Sequence, residues 1–190
     1  MPKVQQIGPR AGYRRNRRSE ARGVSLRAEF VNTATEVSLG ENANALRAVL
    51  WAGFACGVLD ITAAFVVYGF FGAKPVPLLQ GIASGLLGPR AFQGGLATAL
   101  LGLLCHFLIA FGAATVYFAA SRAIPILKQQ AVISGVLYGV AVYFFMNRVV
   151  LPLSAAAKRP FSLKMMIVGV VIHIFCVGLP ISLSVRRFSK

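Results

Sequence analysis

The sequence predicts an all-α membrane protein: four transmembrane helices behind a polar, basic N-terminal arm. Three observations carry that expectation. Of 190 residues, 57% are hydrophobic and only 13% charged, against about 25% charged in ordinary soluble domains. The apolar residues fall in long runs, and roughly 18 or more with few charges mark a spanning helix. No acid follows Asp60, and the nearest before it is Glu41. A soluble enzyme fold is thereby excluded for most of the chain.

Residues 1–45 read as the arm, and residues 46–190 as the transmembrane domain. Up to Arg27 the arm holds eight Lys and Arg against one acid, Glu20; from Ala28 to Ala45 it holds Glu29, Glu36 and Glu41 and no base. A free segment of this composition is expected to lack fixed structure. The cluster Arg10, Arg14, Arg15, Arg17, Arg18 and Arg22 suits anionic lipid head groups or an acidic protein surface, beside the plainer reading of a solvated cytoplasmic tail. Nucleic acid is not expected, because Tyr13 is the sole aromatic residue among the arginines. No secretory signal is visible; the first apolar run begins at Leu46 and reads as an uncleaved anchor.

The first helix is expected at 45–71, capped by Asn42 or Asn44, with Trp51 near one interface and Tyr68, Phe70 and Phe71 near the other. Residues 72–94 turn irregular around Pro75, Pro77 and Pro89, and within them 78–87 is too short to span. That segment reads as an interfacial or re-entrant helix. The remaining spans are expected at 95–121, 131–151 and 163–185. Cys56, Cys105 and Cys176 all fall inside apolar runs and read as small apolar residues.

Charge assigns the sides. Fourteen of the twenty Lys and Arg lie in the stretch through Arg47, the loop between helices 2 and 3, and the C-terminal tail. The other six are Lys74, Arg90, Arg148, Lys158, Arg159 and Lys164. The richer side belongs in the cytoplasm, so both termini are expected there.

Polar residues within the spans are few and lie at similar depth. Asp60 is fourteen residues from Leu46, His106 fourteen from Ala120, and His173 twelve from Val185. At about 1.5 Å per residue these depths differ by only a few ångströms. Small residues flank each on its helical face, as where membrane helices approach closely, so the three are expected to form a mid-membrane polar cluster. An ionised side chain at the bilayer centre costs about 3 kcal/mol on insertion scales, so Asp60 needs a partner or a proton. Four readings of the cluster compete: an interhelical hydrogen-bond fastening, a proton or ion relay, a metal site using His106 and His173, and haem held between those two histidines. No nucleophile, phosphate loop or zinc-spacing motif is present, so no catalytic residue and no cofactor is assigned.

The segments Gly57 to Asp60, Leu79-Gln80-Gly81-Ile82-Ala83-Ser84-Gly85-Leu86-Leu87-Gly88, Ala91-Phe92, Gly94-Gly95, His106-Phe107, Tyr138-Gly139, Met146-Asn147 and Leu151-Pro152-Leu153-Ser154 carry a likeness. Over residues 46–154 the chain resembles an uncharacterised group of small four-helix bacterial inner-membrane proteins. The resemblance implies a bacterial cytoplasmic membrane and a four-span topology, and it brings no activity or ligand with it. The leading functional expectation is a non-enzymatic accessory or assembly subunit of a larger inner-membrane complex, respiratory or photosynthetic. A small proton or ion transporter is the second reading, and a haem or metal protein the third.

Overall fold

The computed structural model describes residues 11–157 and 160–188; before Asn42 it describes the side chains of Arg27 and Glu29 alone. The elements are α1 (Ala11–Gly69), α2 (Pro75–Leu87), a 3-10 turn (Gly88–Gln93), α3 (Gly95–Ala123), α4 (Ile126–Gln129), α5 (Ala131–Phe145), a π turn (Met146–Val150), α6 (Leu151–Leu153), α7 (Leu163–Ile172), a second π turn (His173–Gly178) and α8 (Leu179–Phe188). Among the described residues there is no strand. Four stretches are long and apolar enough to cross a membrane: Asn42–Gly69, Gly95–Ala123, Ala131–Leu153 and Leu163–Phe188. They are spans 1 to 4 below, and each end lies within three residues of its expected position.

The first helix starts far earlier than expected. Residues 11–41 are helical instead of unstructured, so neither Asn42 nor Asn44 caps a helix start. No proline falls between Pro9 and Pro75, so no residue there lacks the N–H that the backbone ladder needs. The chain divides into two compact units, residues 1–43 and 44–190, described separately. Arg10 lies outside the described residues, as do the side chains of Arg14, Arg15, Arg17, Arg18 and Arg22.

Span 1 stops in a Schellman turn. Ala73 N–H bonds to Tyr68 O at 3.0 Å and Gly72 N–H to Gly69 O at 2.9 Å, with Gly72 at φ 85°, a conformation glycine tolerates best.

Within the second unit the spans contact one another in chain order, and span 4 returns to span 1. Gly53 and Gly57 of span 1 receive the rings of Phe111 and Phe107 from span 2. Tyr138 of span 3 donates its hydroxyl to Ala113 O of span 2 at 2.7 Å. Spans 3 and 4 meet backbone to backbone through Gly135, Gly139 and Gly178, the close approach that glycine allows between membrane helices. Trp51 stacks on Phe188 at 6.2 Å, and Lys164 Nζ sits 4.9 Å from the Phe71 ring centre, so spans 1 and 4 touch near both ends. The core at their centre is Ala52, Cys56, Ala110, Ala114, Tyr117, Val177, Ile181 and Val185.

Span 4 is interrupted by a π turn for an identifiable reason. Pro180 has no N–H to give and its ring crowds the carbonyl four residues back. The π turn His173–Gly178 immediately before it absorbs the mismatch by taking one extra residue. The start of span 4 is capped by Ser162, whose hydroxyl accepts from Met165 N–H at 3.4 Å.

The short helix α2 begins three residues before its expected start, because Pro75 suits a first helical position. It docks on α3 by direct backbone contact: Gly102 lies against Leu79 O and Ala83 N. Gln80 Nε2 donates to Gly95 O at 2.9 Å, and Thr98 Oγ1 donates to Ala91 O at 2.6 Å. Gly102 is seven residues into α3, about 10 Å along its axis. Ala155 N–H then bonds to Gly85 O at 2.9 Å and ties the loop after span 3 to α2.

Candidate functional site

Asp60 stands two-thirds of the way along span 1, half-buried, one turn beyond Cys56. Its carboxyl lies within electrostatic range of the thiols of Cys56 and Cys176, the latter on the π turn of span 4. Among the described residues Asp60 accepts no hydrogen bond and forms no ion pair. All three cysteines are free thiols.

His106 comes to the same turn of span 1 from span 2. Its Nε2 lies 2.9 Å from Gly57 O; a carbonyl can only accept, so Nε2 carries the proton. Gly57 has no side chain, and that leaves room beside the imidazole for the Phe107 ring, which stands edge-on to His106 at 5.6 Å. The bond fastens span 2 to span 1, worth typically about 0.6 kcal/mol in a membrane.

His173 occupies a different interface. It opens the π turn of span 4, its Nδ1 donates to Gly169 O at 2.8 Å, and Tyr143 of span 3 packs edge-on against it at 5.3 Å. Gly169 makes that possible by receiving the Tyr143 ring. The structure thus places His106 against the turn of span 1 before Asp60, and His173 against Tyr143 of span 3, three residues from Cys176. Among the described residues no three His, Cys, Asp or Glu side chains converge closely enough to hold a metal ion.

Sequence reasoning missed a second polar group, built on tyrosine and serine. Tyr117 is 1% exposed, donates its hydroxyl to Leu127 O at 2.9 Å, and has the Ser134 and Ser182 hydroxyls beside it. Tyr138 meets Tyr117 edge-on at 4.9 Å and interacts electrostatically with Cys56. A file of ionisable and hydroxyl groups therefore runs from Asp60 through Cys56, Tyr138 and Tyr117 to Ser134, three residues from the start of α5. The one available signal was Ser134 next to Gly135, since a small polar residue beside an interface glycine points at the neighbouring helix.

Removing the Tyr138 hydroxyl leaves the backbone in place and withdraws one buried bond. Tyr138→Phe is expected to lower stability by about 1 kcal/mol, measured by unfolding in mixed detergent micelles. A change near zero would show that the bond to Ala113 O does not form. Comparison of the chain with protein-family models, curated proteins and solved structures gives no match in any of the three.

Proposed function

We propose that the chain is a non-enzymatic accessory or assembly subunit of a larger bacterial inner-membrane complex, of respiratory or photosynthetic kind. Its spans pack laterally against other subunits, and its arginine-rich arm grips a partner surface or anionic lipid head groups. The observation that carries this reading is Asp60: an ionisable group deep in span 1 for which the described residues supply neither a hydrogen-bond donor nor a counter-charge. A carboxylate at that depth needs a partner, and a neighbouring subunit's helix provides one.

In the native membrane, Asp60→Asn is expected to reduce the complex-bound fraction roughly tenfold or more, since removing one member of a buried pair strands the other. Blue-native electrophoresis reads that fraction. Full occupancy in the variant would sink the role given to Asp60.

A second reading, a small proton or ion transporter, draws on the file from Asp60 to Ser134. Under it, the purified chain in vesicles moves protons and Asp60→Asn stops the flux. Equal flux in wild type and variant removes that reading and leaves the first untouched.

A further inference from the structure

At the end of the bundle where α2 lies, a cleft of about 470 Å³ opens between spans 3 and 4. Ligand pockets run from roughly 300 to 1,000 Å³, so the size is that of a small amphiphile. Its lining is graded: Arg148 and Asn147 supply polar groups, and Tyr143, Phe144, Phe161 and Met166 supply apolar surface. Phe144 is 38% and Phe161 74% exposed, so the apolar part opens sideways to the surroundings.

Arg148 lies five residues inside the end of span 3, about 7.5 Å along the axis, within reach of the head-group layer by snorkelling. It sits on the π turn Met146–Val150, a distortion frequent at functional sites. Asn147 satisfies the backbone there, its Nδ2 donating to Tyr143 O at 2.9 Å, which leaves Oδ1 as an acceptor.

Charge narrows the occupant. The loops and span ends on this side carry Lys74, Arg90, Arg148, Lys158, Arg159 and Lys164, and the chain has no Asp or Glu after Asp60. Among the described residues Arg148 makes no hydrogen bond or ion pair; its electrostatic neighbour is the Tyr143 phenol. Lys164 is engaged over Phe71. A guanidinium beside an aromatic slot, with no acid paired to it among the described residues, calls for an anion that carries an apolar tail, and basic pockets between membrane helices hold such head groups.

We infer that this cleft binds a glycerophospholipid with an anionic head, the phosphate paired to Arg148 and an acyl chain laid along Phe144, Phe161 and Met166. The test is native mass spectrometry of the full chain in mild detergent, titrated with phosphatidylglycerol, with phosphatidylcholine and with inorganic phosphate. Wild type retains phosphatidylglycerol in preference to phosphatidylcholine, and inorganic phosphate does not displace it. Arg148→Gln lowers phosphatidylglycerol retention about tenfold, the scale of a lost charge-assisted contact, while Arg90→Gln, a base on the same side outside the cleft, changes it less than about twofold. Phe161→Ser, at an exposed loop position, lowers retention as well and keeps the test decisive if Arg148→Gln unfolds. Equal losses in Arg148→Gln and Arg90→Gln would overturn the site in favour of general surface charge. Competition by inorganic phosphate at equal concentration would overturn the lipid in favour of a free anion.

Discussion

Gly178→Ala is expected to destabilise the bundle by about 3 kcal/mol, the upper part of the ordinary range for overpacking. A Cβ at position 178 would stand 2.6 Å from Gly139 N and 2.8 Å from Gly139 Cα, and closer still to Gly135 O. All three are backbone atoms of an opposing helix, so no side chain can rotate aside and spans 3 and 4 must separate. Gly112→Ala is the control, because nothing lies within 4 Å of a Cβ there. That substitution is expected to be neutral or to gain up to about 1 kcal/mol from helix propensity. Unfolding in mixed detergent micelles measures both, and equal behaviour of the two variants would show that the glycine contact between spans 3 and 4 is absent.

Gly102→Ala is expected to be comparably damaging, at about 2–3 kcal/mol, with a more local consequence. Here the new methyl meets Leu79 O, with Leu79 C at 2.8 Å and Ala83 N at 3.2 Å, again backbone atoms. The helix displaced is α2, while the contacts among the four spans do not pass through Gly102. A cysteine introduced at exposed Val76 should then react faster with a membrane-impermeant maleimide in the Gly102→Ala background, as α2 lifts from α3. An unchanged labelling rate would mean that α2 is not seated on Gly102. The Gly57 site predicts a smaller penalty, because the atoms a Cβ would meet belong to the Phe107 side chain, which can turn.

These glycines mark how far the sequence could be read. The four spans were legible because apolar run length is a property of the sequence alone, and their ends fell within three residues. Gly135 and Gly139 stand four residues apart, a close-packing spacing, but the sequence does not name their partner: Gly178 lies on another helix, in a π turn that period counting does not reveal. Pro180 was the available hint, since proline disturbs the ladder before it. The depth arithmetic did bring His106 to the neighbourhood of Asp60. It missed the atom His106 bonds, because a backbone carbonyl exists at every position and leaves no trace in residue type. Equal depth also says nothing about azimuth, and so it did not point to Tyr143 as the ring that packs on His173. The helical start at Ala11 was missed because a polar, arginine-rich composition was weighed above the absence of proline.

Asp60 keeps its central place with a changed set of neighbours. Among the described residues its electrostatic neighbours are two thiols, the nearby histidine is bonded one turn away, and no hydrogen-bond donor or counter-charge completes it. The most direct measurement is therefore the state of the full chain extracted from its own membrane in mild detergent. The subunit account predicts migration within an assembly much larger than a single chain, with defined co-purifying proteins that are lost from Asp60→Asn. A lone monomer, with wild type and variant alike, would contradict it.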